Sequence, residues 1–234
     1  MRAFVEALAT GEPRHFRETW INGLVRWVVI NEACSPSIVG TPPRLELANG
    51  SVLEDESRHC GLRYRISDEH QVITRFRVNV SVEGWVGGDY GAAGYALICG
   101  PSSNESATND FVAGMYIGRQ DGSPRRLLWL SPTIDGNRKS SVLVEDASVG
   151  WYCVDATFSY AEGDDRDGTV HVAVNGVPAG VFPFLSRPLD SIQLYNFSDG
   201  GRATYGDIDV WHRRVPASTQ FFPHILSREQ ESDY

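Results

Sequence analysis

Hydrophobic and polar residues alternate with period two along most of this chain. The clearest run is Gln71 to Glu83, where Val72, Phe76, Val78, Val80 and Val82 fall on one side and Arg75, Arg77, Asn79, Ser81 and Glu83 on the other. Shorter runs cover Ala93–Cys99, Phe111–Gly118 and Arg125–Leu130. Towards the C-terminal end come Trp151–Tyr160, Thr169–Val174, Ser191–Phe197 and Thr204–Trp211, separated by turn-forming Asn-Gly, Gly-Asp and Gly-Gly pairs. Such segments predict half-buried antiparallel strands. Arg44–Ala48 and Ser51–Glu54 flank Asn49-Gly50, which predicts a two-residue hairpin. Before residue 44 the period changes. Phe4 and Leu8, then Phe16, Trp20, Leu24, Trp27 and Val28, recur at three and four, predicting one or two short helices broken at Gly11-Glu12-Pro13. Trp20 and Trp27 read as core that packs this segment on the strands. The expected organisation is a helical or irregular segment over 1–43, a β-sandwich over 44–214 and an extension over 215–234.

The order of the strands carries a resemblance. A Trp-led strand (Gly150-Trp151-Tyr152-Cys153-Val154) is followed by one ending in Asn175-Gly176. Then come Ile192-Gln193-Leu194 and a final Asp207-Ile208-Asp209-Val210. With His70–Val78 and Gly94-Tyr95-Ala96-Leu97, the series is similar to the concanavalin A-like lectin/glucanase superfamily in its laminin G-like form. The likeness covers roughly residues 44 to 212. It implies an all-β antiparallel jelly-roll sandwich with a concave ligand groove. Function does not follow from it, because the fold carries binders, hydrolases and lyases.

Composition narrows the possibilities. The chain has 234 residues, enough for one large sandwich with a sizeable core. A net charge of −9 and pI near 5.1 disfavour a nucleic-acid partner. No apolar run is long enough to span a membrane. The first residues lack the apolar core of a secretory leader. Four glycosylation sequons begin at Asn49, Asn79, Asn104 and Asn196, and the cysteines (Cys34, Cys60, Cys99, Cys153) are even in number. Both features lean towards a secreted protein with two disulfides, Cys34 with Cys60 being the preferred pair. Oligomeric state is left open.

For chemistry, the alternation places Arg75, Arg77, Trp151, Asp155, His171, Gln193, Tyr195 and Tyr116 on faces away from the core. Trp85, Tyr90 and Trp129 adjoin turns and offer stacking surfaces for sugar C–H faces. Core burial is the ordinary expectation for Trp151 and Trp211. Glucanases of the superfamily carry paired acids as Glu-x-Asp-x-x-Glu, and this chain has no such strand, so a paired-carboxylate glycosidase is disfavoured. Its alginate lyases use an Arg/Gln/His/Tyr set. The resemblance therefore implies His171 or Tyr195 as proton carrier and Arg75 as a charge neutraliser. The lyase motifs Arg-x-Glu-Leu and Gln-x-His are missing, and Phe111–Tyr116 only weakly resembles the lyase Tyr-Phe-Lys-x-Gly strand. The expected function is carbohydrate or small-molecule binding in the groove. The alternatives are an enzyme (a lyase, or a secreted tailoring enzyme cyclising a small apolar substrate) or a non-catalytic interaction domain. No cofactor is required. A structural calcium is expected, if anywhere, at Asp165, Asp167 and Asp207.

Overall fold

A computed structural model describes residues 13–29, 36–48, 60–66, 71–83, 91–99, 111–119, 124–132, 138–147, 150–160, 167–185, 191–196 and 202–214. These form fifteen strands: β1 (Arg14–Glu18), β2 (Val28–Val29), β3 (Ser37–Val39), β4 (Arg44–Ala48), β5 (Cys60–Arg65), β6 (Gln71–Glu83), β7 (Gly91–Cys99), β8 (Phe111–Arg119), β9 (Arg126–Pro132), β10 (Arg138–Val144), β11 (Tyr152–Ser159), β12 (Asp167–Val174), β13 (Val177–Leu185), β14 (Ser191–Asn196) and β15 (Arg202–Arg214). An eight-stranded sheet has the order β13-β12-β11-β6-β15-β4-β3, with β1 also on β15. A seven-stranded sheet has the order β10-β9-β8-β7-β14-β5-β2. All pairings are antiparallel.

The core lies between the two sheets. Phe76, Val78 and Val80 of β6 and Val154 and Ala156 of β11 meet Ile98, Met115, Ile192 and Leu194 of the facing sheet in one apolar cluster. Burying a side chain of this size contributes roughly 1.5–3 kcal/mol. Tyr205 crosses the sandwich: it stands on β15, is fully buried, and its hydroxyl hydrogen-bonds main-chain carbonyls of β7 and β14.

One expectation is corrected. No helix occurs among the described residues. Residues 13–29 form β1, a series of turns and β2. The three-and-four spacing arises because strand alternation buries Phe16, and the turns then return Trp20 and Trp27 to the same interior. Trp20 takes a left-handed backbone (φ 61°) there. The buried Glu18 carboxylate accepts from the Thr19 and Trp20 amides (3.0 and 2.9 Å) and from Trp27 Nε1 (3.1 Å), which organises the turn. Trp20 and Trp27 are core, as expected. The Asn49-Gly50 turn and its expected partner Ser51–Glu54 lie outside the described residues. β3 and β15 lie on the two sides of β4 at Leu45 and Glu46.

Candidate functional site

The alternation places polar side chains outward on both sheets. The two outer faces differ in how those groups are satisfied.

On the eight-stranded sheet, β1, β15, β6 and β11 lie side by side, and their outward residues form an ion-pair lattice. Arg75 donates to both carboxylate oxygens of Asp155 (2.8 and 2.5 Å) in a fork. Arg77 donates twice to Asp209 Oδ2 (3.0 and 2.5 Å), and His15 Nε2 reaches Asp209 Oδ1 at 2.8 Å. Arg17 donates to Asp207 at 2.5 Å. The Asp209 side chain is only 2% exposed. Burial pushes its pKa up, but the hydrogen bonds from Arg77 and His15 and the charges of Arg77 and Arg17 outweigh this and hold it below the ordinary value. Trp211 lies between His15, stacked at 4.6 Å, and the guanidinium groups of Arg75 (4.6 Å) and Arg77 (5.7 Å). It sits on this outer face and not in the core, because ring stacking covers it there. Trp151 is 37% exposed and lies under Arg44. His171 is exposed two strands from Arg75, with Thr157 between. The charges of this face neutralise one another, and its central aromatic has both sides occupied.

The outer face of the seven-stranded sheet carries few charges and several aromatics. Ser191, Gln193 and Tyr195 point outward from β14, opposite the core residues Ile192 and Leu194, yet all five are buried. The Tyr195 hydroxyl donates to Gln193 Oε1 at 2.6 Å. That bond fixes the amide and leaves Nε2, a donor, facing the other way. Gln193 is fully buried and Nε2 has no hydrogen-bond partner; neither does Ser191 Oγ. Buried groups without a protein partner are uncommon in folded proteins and are completed by water, an ion or a ligand. Beside them Tyr95 stacks on Tyr116 with ring centroids 5.0 Å apart. A bulge between Ala93 and Ala96 aims Tyr95 outward. Gly94 makes the bulge feasible: its φ is +62°, and an added Cβ would lie 2.9 Å from the Val82 side chain. Gly61 on β5 plays a steric part, since a Cβ there would fall 2.5 Å from the Tyr195 ring. The Tyr116 phenol is raised by burial, partly offset by a hydrogen bond with Ser140. Arg63 and Arg65 stand on the same side of β5, opposite Gln193 and Ser191. Among the described strand residues of this face there is no Asp or Glu.

The expected site residues therefore divide. Tyr195, Gln193 and Tyr116 share one face. Arg75, Arg77, Asp155, Trp151 and His171 share the other, so His171 and Arg75 do not share a cleft with Tyr195. Trp129 is not a surface platform: it points inward, is 1% exposed and lies against Phe182 at 6.3 Å. The Asp207 carboxylate is taken by Arg17, and no group of three His, Cys, Asp or Glu suited to an ion occurs among the described residues. Asn196 cannot carry a glycan in this fold. It is fully buried and its amide donates to Leu47 O at 2.7 Å. Asn79 is half-buried with its amide directed at Asp207 O (3.3 Å). Cys153 is a free, half-buried thiol on the ionic face, so the expected pairing of all four cysteines is not formed. Burial raises that thiol, against a lowering by Arg77. Trp85, Tyr90, Asp165, Cys34, Asn49 and Asn104 lie outside the described residues, as do the side chains of Asp167, Cys60 and Cys99. Tyr95, Ser191 and Arg63 were missed by the sequence reading. The signal for Tyr95 was the glycine inside its strand, which marks a bulge.

The fold is the concanavalin A-like jelly roll. Solved structures with this architecture include an endo-β-1,4-glucuronan lyase from the fungus Trichoderma reesei, at TM-score 0.53 and 10% identity, covering 86% of this chain and 95% of that one. The alginate lyase Aly36B, solved as a mutant with an alginate trisaccharide, matches at TM-score 0.56 and 12% identity, covering 87% and 99%. A β-glucanase from Bacillus licheniformis matches at TM-score 0.54 and 11% identity, covering 84% and 97%. No protein-family model matches the sequence, and no curated protein does.

Proposed function

We propose that this protein binds a carbohydrate on the outer face of its seven-stranded sheet, with acidic glycans preferred. The observation that carries the reading is the Gln193 amide: buried, oriented by Tyr195 and left with an unpaired donor beside the Tyr95–Tyr116 pair. Aromatic faces and a few fixed hydrogen-bonding groups are what sugar recognition requires. The acidic preference follows from charge. Gln193 presents an unpaired donor, Arg63 and Arg65 stand opposite β14 on β5, and the described strands of the face carry no carboxylate although the whole chain is at −9. The occurrence of glucuronan and alginate lyases on the same fold supports a glycan ligand.

Titration with short oligouronates and with neutral gluco-oligosaccharides tests the reading. Oligouronates bind more tightly, and Gln193→Ala weakens them. Binding of neither class, or binding indifferent to Gln193→Ala, overturns it.

Catalysis is the second reading, favoured by the Tyr195 hydroxyl sitting 2.6 Å from the same amide. In an eliminating lyase Tyr195 would move the proton. Tyr195→Phe would then cut the appearance of unsaturated sugar ends by about 10²–10⁴-fold with affinity largely kept. A pure binder yields no such product.

A further inference from the structure

We infer that Tyr205 is a positioning residue for this face, holding the two tyrosines at its centre in register from the opposite side of the sheet. The inference rests on the proposed glycan site. Tyr95 and Tyr195 are register partners on β7 and β14. The bulge at Gly94 lies next to this pair on β7. The Tyr205 hydroxyl lies 2.8 Å from Tyr95 O and 2.7 Å from Tyr195 O, and its single proton is shared between the two carbonyls. One buried hydroxyl therefore ties together the main chains of adjacent strands at the residues whose side chains face the other way. Tyr95 carries half of the stacked pair, and Tyr195 orients Gln193. The phenol ring of Tyr205 is itself fixed, because it is packed in the core between the sheets. The main chain of β15 is held just beyond it, where Trp20 Nε1 donates to Gly206 O at 2.7 Å.

A structural tyrosine elsewhere in the sandwich provides the comparison. Tyr160 makes the same kind of bond, to Ile73 O at 2.7 Å, at a point remote in sequence from β7 and β14. Tyr205→Phe and Tyr160→Phe each remove one hydroxyl and one kind of bond. Amide hydrogen exchange and oligouronate titration are measured on both full-length variants. In Tyr205→Phe, exchange at Tyr95, Ala96 and Tyr195 accelerates about tenfold or more, and oligouronate affinity falls by a similar factor. In Tyr160→Phe those amides and that affinity stay within about twofold of the parent. Equal behaviour of the two variants at Tyr95 and Tyr195 overturns the inference. If the parent binds no oligouronate, the glycan reading fails, and the exchange comparison still decides the role of Tyr205. If Tyr205→Phe does not fold, the parent alone settles it: a slowly exchanging Tyr205 hydroxyl proton correlates across hydrogen bonds with the carbonyl carbons of Tyr95 and Tyr195. Absence of both correlations overturns it.

Discussion

The two outer faces of this sandwich are built from similar strands and solve the problem of polar residues in opposite ways. The eight-stranded face carries Arg75, Arg77, Arg17, Asp155, Asp207, Asp209 and His15, each partnered by another. The seven-stranded face buries Gln193 and Ser191 and leaves a donor and a hydroxyl without partners. A satisfied lattice contributes to stability and offers little to a ligand, because recruiting one of its charges means breaking an existing pair. An unsatisfied group has a cost in folding and gains on binding. On the proposed reading, density of charge is a poor guide to a binding face, and unmet hydrogen-bonding capacity is a better one.

The largest effect expected is on the ionic face. Asp209→Ala strands Arg77 and His15 and lowers stability by about 2–3 kcal/mol, less than a fully buried pair because Arg77 is one-third exposed. Urea unfolding measures it, and oligouronate affinity stays at the parent value. A binding loss in folded Asp209→Ala would break the distinction between the faces. Next comes Gln193→Leu, which removes the orphaned donor and the acceptor of the Tyr195 hydroxyl: affinity falls about 10–100-fold while stability falls by about 1–3 kcal/mol. Calorimetric titration and urea unfolding together check it. A large stability loss with affinity kept would mean that Gln193 is structural after all.

Acid sharpens the comparison. The native pKa of Asp209 is depressed, so its pairing contributes stability in full above the ordinary carboxylate value of about 3.9. That contribution is lost as pH falls through the lower native value. The stability gap between the parent and Asp209→Asn is therefore widest near neutrality and closes below about pH 4. A gap that widens on acidification contradicts the assignment. The smallest effect is at Trp151. Its cation–π contact with Arg44 is exposed, so Trp151→Ala costs at most about 1 kcal/mol and leaves oligouronate affinity unchanged. Loss of affinity there would return the ionic face to consideration.

Alternation by itself determined most of the sandwich. The strand at Gln71–Glu83 falls where the pattern places it, and Tyr152, Val154, Ala156 and Phe158 are inward with Cys153, Asp155 and Thr157 outward. Each of these depends only on the two-residue period of a strand and on which set of side chains is apolar. The N-terminal segment defeated the same logic. Its spacing of three and four came from turns organised by Glu18, a residue whose partners are set by packing. Which outward residues share a face was never in the pattern, since period two says "away from the core" for both sheets alike. Arg75 and Tyr195 look equivalent in sequence and are separated by the whole thickness of the sandwich. The tertiary structure alone decided that Asp209 meets Arg77 across β6 and β15, and that Tyr205 reaches Tyr95 and Tyr195 from the far side. Strand order and register bring these residues together over separations of more than a hundred positions or across the core, and no local periodicity encodes such distances.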